Sequence, residues 1–332
     1  MATTIKDIAK RVGVSPSVVS RALNQKYGVK AATREMIINA ARDMDYYPNV
    51  IAQSLVTRKT KTIGVMMGDI SESFYSMMIK GMEFVAQKGG YTLLFSNSYD
   101  RLEHGDVLKK MVNGAKADGL VIVGSNIKDE HFFLNLMKRE IPFILLERNI
   151  PKPQINCIWV DNVTGGYLAI RHLISKGHRH IAHITGPRHF QSSIDRLEGY
   201  QKALAEAGLP YGNDLVVRGD YYWKSGYHAT QELLQRSVGC SAIFAANDAM
   251  AFGALQAIKE ANLSVPRDMA VIGYDDIEFS ALMNPTLTTV KQPRFDMGKL
   301  ALSNLISILE DGEPSEPIKF CFTPELVERG SA

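Results

Sequence analysis

Residues 12–24 read Val12-Gly-Val-Ser-Pro-Ser-Val-Val-Ser-Arg-Ala-Leu-Asn24. Gly13 stops one helix. Ser15 and Pro16 open the next, because proline at the first helical position loses no hydrogen bond. Val18, Val19, Ala22 and Leu23 then form a buried side, and Ser17, Ser20, Arg21 and Asn24 face outward. Before this stretch, Thr4 and Asp7 form a capping box, with Ile5, Ile8, Ala9 and Val12 on one face. After it, a helix starting near Thr33 turns Ile37, Ala40, Ala41 and Met44 inward and ends at Tyr46-Tyr47-Pro48. Three short helices with a tight glycine turn between the first two predict a helix-turn-helix. Its outward arginine and asparagine carry the groups that read base edges in a major groove.

Charge agrees with this. Residues 1–60 hold ten Lys/Arg and four Asp/Glu, a balance of +6, while the whole chain is +3, so the remainder is −3. A basic head on a mildly acidic body suits a polyanion-binding module joined to another kind of domain.

Asn49 to Val56 predicts one more short helix, and Thr57 to Thr62 a basic linker. From there the pattern changes. Ile63–Met67, Tyr91–Phe95, Gly119–Gly124, Pro142–Glu147, Cys157–Val160, Ile181–Thr185, Ala242–Ala246 and Met269–Gly273 are apolar runs of strand length. Helical stretches separate most of them, one around Phe74 to Ala86. Such alternation predicts parallel sheets covered on both faces. One sheet would be very wide, so two doubly wound α/β subdomains are expected, with a ligand cleft at their strand ends.

Several classes find no support. The start has no apolar segment behind a basic cluster, and no run is long enough to span a membrane, so a cytoplasmic protein without a membrane partner is expected. Cys157, Cys240 and Cys321 have no paired spacing and read as thiols in a reducing compartment. His178, His180 and His183 fit a turn running into a strand better than a metal site. Met77, Met78 and Met82 fit helix packing. No phosphate-loop, dinucleotide or nucleophile-elbow motif is present, so no catalytic residue, metal or cofactor is expected.

Thr4-Ile-Lys-Asp-Ile-Ala-Lys-Arg-Val-Gly-Val-Ser15, Val19-Ser-Arg-Ala-Leu-Asn24 and Tyr47-Pro-Asn49 resemble the head of the LacI/GalR family of regulators. The resemblance continues through His178–Ala182, Gly186-Pro187, Arg196–Tyr200, Ala246-Asn-Asp-Ala-Met-Ala-Phe-Gly253, Gly273-Tyr-Asp-Asp276 and Leu287–Gln292. It covers nearly the whole chain in order, with the flavour of the family's catabolite control branch. It implies a head over 1–48, a hinge helix and linker over 49–61, and a core over 62–332. The core would be of periplasmic sugar-binding type, with subdomains near 62–161 plus 292–321 and 162–291 plus 322–332.

By that resemblance Pro16, Ser17 and Arg21, with Asn24 beside them, read the major groove. Asn49, Ala52 and Leu55 enter the minor groove, Leu55 as a wedge between base steps. Leu55 read alone is equally a contact between head and core. Phe74, Arg196, Asn247, Asp275 and Gln292 match the effector cleft, and Asp69, Glu147 and Tyr221 match it more loosely. Guanidinium, carboxylate and amide groups beside an aromatic face suit a polyhydroxyl ligand. Each has a plainer use: Asn247 as a helix cap, Asp275 as a turn residue, Arg196 as a surface ion pair.

The resemblance thus implies a homodimeric repressor of a near-palindromic DNA operator, controlled by a sugar or sugar derivative. Control by a phosphoprotein corepressor docking on the core is the alternative within regulation. A stand-alone sugar-binding protein would share the core but lack the head.

Overall fold

The computed structural model describes residues 3–24, 27–46, 59–97, 111, 117–124, 130–150, 154–236 and 239–332. Asn49, Ala52 and Leu55, and with them the expected hinge helix, lie outside the described residues. The chain divides into two compact units, Met1–Thr60 and Lys61–Ala332.

Among the described residues the first unit holds three helices: α1 (Ile5–Val12), α2 (Pro16–Leu23) and α3 (Ala31–Asp43). The Thr4–Asp7 capping box is formed, and Gly13 ends α1 in the left-handed conformation at φ 74°. That conformation costs a side chain strain and glycine little. Pro16 opens α2, but the Ser15 hydroxyl does not cap it; it bonds the Ser17 hydroxyl at 2.8 Å instead. Ile8, Ala9, Val19, Ala22, Ile37, Ala40 and Ala41 form the core of the head. Arg34 donates to the Ala22 carbonyl at 3.0 Å, which fixes α3 against the end of α2.

The second unit holds two parallel-sheet lobes. Lobe one contains β1 (Thr62–Met67), α4 (Ser73–Gly89), β2 (Thr92–Asn97), β3 (Gly119–Val123), α5 (Glu130–Lys138), β4 (Phe143–Leu146) and β5 (Cys157–Val160). Lobe two contains α6 (Asn162–Ser175), β6 (Ile181–Thr185), α7 (Gln191–Glu206), β7 (Val216–Arg218), α8 (Trp223–Gln235), β8 (Ala242–Ala245), α9 (Asp248–Glu260), β9 (Ala270–Asp275) and β10 (Thr288–Lys291). The chain then returns to lobe one through α10 (Arg294–Asp311) and β11 (Lys319–Phe322), and ends in lobe two with β12 (Glu325–Val327).

Sheet order is β11-β5-β4-β3-β1-β2 in lobe one and β12-β10-β9-β8-β6-β7 in lobe two. Among the described residues every pairing is parallel except β10 with β12, which is antiparallel. Inner strands are buried on both faces and so read as unbroken apolar runs. The order reverses beside β1 in one sheet and β6 in the other, and ligands bind at such switch points in open α/β sheets. Among the described residues the chain passes between lobes three times, at 160–162, 291–294 and 322–325.

The strands β7, β10, β11 and β12 have no counterpart among the apolar runs of the sequence. They are three or four residues long, and β11 is largely exposed at a sheet edge. Helices α6 and α7 meet at glycines: a Cβ on Gly166 would lie 2.4 Å from the Arg196 carbonyl oxygen, and one on Gly199 2.1 Å from that of Val163. This contact sets the height of α7, and with it Arg196, over the sheet. Among the described residues no helix is long and apolar enough to cross a membrane.

Candidate functional site

In the head, α2 presents Pro16, Ser17, Arg21 and Asn24, all exposed. Arg21 Nε lies 3.4 Å from the Ser17 carbonyl, and Asn24 Nδ2 donates to the Ser20 carbonyl at 2.8 Å. Val19 and Ala22 hold the opposite face of α2 in the core. The side chains on the outer face therefore project from a backed helix, as major-groove reading requires.

In the second unit, a cavity of about 550 Å³ lies between the lobes. Asp69, Phe74 and Glu147 line it from lobe one; Arg196, Tyr221, Asn247 and Asp275 line it from lobe two. Three of these wall residues are non-glycine residues at positive φ: Glu147 at 70°, Tyr221 at 75° and Asp275 at 112°. Each costs about 1–3 kcal/mol and persists only where its surroundings impose it, and such strain gathers at binding sites.

The surroundings do impose it at Asp275. Gln292 Nε2 donates to Asp275 Oδ1 at 2.7 Å. The following turn is held by Asp248, a fully buried carboxylate accepting from the Ile277 amide at 2.9 Å, the Ser280 hydroxyl at 2.7 Å and the Thr289 hydroxyl at 2.5 Å. Gln292, which matches the family cleft, is buried, and its bond orients Asp275 at the cavity wall.

Arg196 is not a surface residue. It is 4% exposed. Its Nε donates to Asn162 Oδ1 at 2.9 Å and its Nη1 to the Ala246 carbonyl at 2.5 Å. The guanidinium stacks on Tyr274, 3.7 Å from the ring centroid, and stands 3.8 Å from Asp275. Asn247 is both cap and wall: its Oδ1 accepts from the Met250 amide at 2.9 Å, while its Nδ2 donates to the Tyr221 carbonyl at 2.8 Å. The plain use of Asn247 and its place in the cleft coexist.

Four of the carboxyl groups crowded into this region are held well above the usual carboxylate range. Burial pushes Glu147 up to about 8, against the pull of Arg196 and with repulsion from Asp275 and Glu72. Burial likewise raises Glu72 to about 7, with help from Asp69 and Asp275. Asp248 rises to about 7 and Asp275 to about 6, again chiefly by desolvation. Between pH 6 and 8 the folded core thus binds more protons than the unfolded chain, so stability must fall as pH rises through that window. We expect the melting temperature of the ligand-free chain to drop from pH 6 to 8, and Glu147→Gln to flatten the slope. His183 opposes this at the acid edge of the window: burial lowers it to about 4, so the fold is destabilised as pH falls below the ordinary histidine value of 6.5. A melting temperature that rises toward pH 8 would refute this ordering.

Sequence reasoning missed Glu72, Asp248 and Arg294. Asp248 sits inside the Ala246–Gly253 motif, so its signal was present but unread. Glu72 lies in a short turn before α4, where no periodicity marks it.

The sequence pattern of the bacterial regulatory proteins of the lacI family matches residues 4–49. That of the periplasmic binding protein-like domain matches residues 170–332. The HTH-type transcriptional repressor PurR of Salmonella paratyphi A is 34% identical over 330 residues, covering 99% of this chain and 96% of that protein. The chain belongs to the lacI family. Two solved structures agree with that placement. The lac repressor dimer bound to operator and the anti-inducer ONPF is 28% identical with a TM-score of 0.89, covering 100% of this chain and 99% of that one. The transcriptional regulator CelR in its cellobiose complex is 31% identical with a TM-score of 0.76, covering 99% and 100%. As a lacI-family member the chain is a DNA-binding transcriptional regulator, with a helix-turn-helix head and an effector-binding core.

Proposed function

We propose that this regulator is a homodimeric repressor of a near-palindromic operator, and that a sugar or sugar derivative in the core cleft sets its affinity for DNA. The head spans 1–48, the hinge and linker 49–61, and the core 62–332. The observation that carries this reading is the strained wall of the cavity. Glu147, Tyr221 and Asp275 hold costly backbone conformations around a space lined by a guanidinium, carboxylates, an amide and aromatic rings. Those groups bind hydroxyls by paired donors and acceptors and stack on the apolar face of a pyranose. The likeness to a cellobiose-bound regulator supports a carbohydrate.

A thermal-shift screen of the full chain against cellobiose, ribose, sugar acids and sugar phosphates tests the ligand class, since a bound ligand raises apparent stability by mass action. No shift with any carbohydrate would sink the reading.

Arg21→Ala is expected to cost about 1–3 kcal/mol per half-site and to relax discrimination at one guanine. Wild-type affinity for a palindromic duplex should fall steeply with salt as counterions return to the phosphates. Fluorescence anisotropy over a salt series measures both. Equal weakening of specific and non-specific DNA by Arg21→Ala would mark a phosphate contact instead.

A further inference from the structure

Arg294 opens α10, where the chain crosses from lobe two back to lobe one. It is buried. Its Nη2 donates to the Asp276 carbonyl of lobe two at 2.7 Å. Its Nη1 donates to the Phe74 and Ser73 carbonyls of lobe one at 3.1 and 3.3 Å. The guanidinium also lies 5.8 Å from the centre of the Phe74 ring. Phe74 and Asp275 face the cavity from opposite lobes. One side chain therefore holds the backbone under both walls.

The lobe-two side of this tie is stiff. Asp276 sits at φ 53°, its carboxylate accepts from Arg329 Nη2 at 2.7 Å, and Asp248 anchors the next residue. The lobe-one side is the first turn of α4. Arg294 Nε is buried with no acceptor among the described residues, a cost the other bonds must offset. A planar fork spans carbonyls on two sides at once; an ammonium is a single point and does not.

We propose that Arg294 is the positioning residue that registers the two walls of the cleft against each other, so that a ligand touching Phe74 and Asp275 acts on lobe orientation through it. The ligand clause rests on the function proposed above; the registering role does not. A ligand shifts the lobes only by the difference in its affinity for their arrangements, and a residue bonded to both walls defines that difference.

The test uses the ligand-free full chain and no DNA. Spin labels at Lys138→Cys on α5 and Glu232→Cys on α8 report the distance between lobes; both positions are exposed. Cys321 and Cys240 are replaced by serine, Cys157 being buried. Labelled chain is mixed with an excess of unlabelled chain, and double electron–electron resonance gives the distance distribution. Wild type should show a single narrow peak. Arg294→Gln should broaden or shift it, and Arg294→Lys, which keeps the charge and loses the fork, should do the same with a smaller loss of melting temperature. An unchanged peak in either folded variant, even with a lowered melting temperature, would make Arg294 a packing residue only and overturn the proposal. A peak already broad in wild type would overturn it too.

Discussion

Asp275→Asn is expected to leave operator binding by the ligand-free protein intact and to shift its response to ligand to much higher ligand concentration. The amide has the shape of the carboxylate, and its oxygen still accepts from Gln292 at the 2.7 Å position. What it loses is the negative charge facing the cavity and Arg196. A hydrogen bond to a charged acceptor contributes about 1.5–3 kcal/mol, and 1.4 kcal/mol is a factor of ten, so ligand affinity should fall roughly ten- to a hundredfold. Because burial raises Asp275 to about 6, wild type should lose ligand affinity as pH drops through that value, and Asp275→Asn should lack that step. Operator affinity with and without ligand, across pH 5–8, decides it. A wild-type response in the variant would remove Asp275 from the ligand site.

Arg196→Ala is a blunter probe than the sequence suggests. Arg196 ties Asn162 of α6 and the Ala246 carbonyl beyond β8, and covers the ring of Tyr274. Its removal leaves the buried Asp275 without its ion-pair partner, a change that costs about 3–5 kcal/mol. Loss of ligand response in that variant would mix binding with folding.

Gly166→Ala is expected to have the other large effect, although Gly166 touches no ligand. Its new methyl group would meet the Arg196 carbonyl oxygen at 2.4 Å and the Arg196 Cα at 3.1 Å. Reaching ordinary contact distance requires α6 and α7 to part by roughly 1 Å. Overpacking of this kind costs about 1–3 kcal/mol and sometimes more. It also lifts Arg196 and Ser192, both on α7, from the cavity wall. Urea unfolding should show the stability loss, and titration with ligand should show weakened binding. The control is Glu198→Ala, exposed on α7, expected within about 0.5 kcal/mol of wild type. Equal stability of Gly166→Ala and the control would mean the helices accommodate the methyl group and the close approach is not required.

Much of this molecule is legible because its signals are local. Thr4 and Asp7 are three residues apart, so their capping box is written in one helical turn. Gly13 and Pro16 mark a helix end and a helix start by backbone geometry alone. Cys157–Val160 and Ile181–Thr185 read as strands because inner strands of a parallel sheet are apolar on both faces. The basic balance of residues 1–60 is a sum over sequence. These features determine a helix-turn-helix head followed by an α/β body without reference to any distant residue.

The site itself is not local. Asp248 is defined by partners 29, 32 and 41 positions away, and Arg294 by carbonyls 220 and 221 positions back along the chain. Gln292 carries the same side chain whether it faces a ligand or supports Asp275; only its neighbours place it in the second role. The same holds for Arg196, which reads as a surface ion pair in its helix and is buried once α6, β8 and β9 close around it. A buried polar group is stable only when its hydrogen bonds are satisfied. The three passages between lobes bring those partners together, so sequence determined the elements and tertiary structure alone decided which polar groups line the cleft and which hold it in shape.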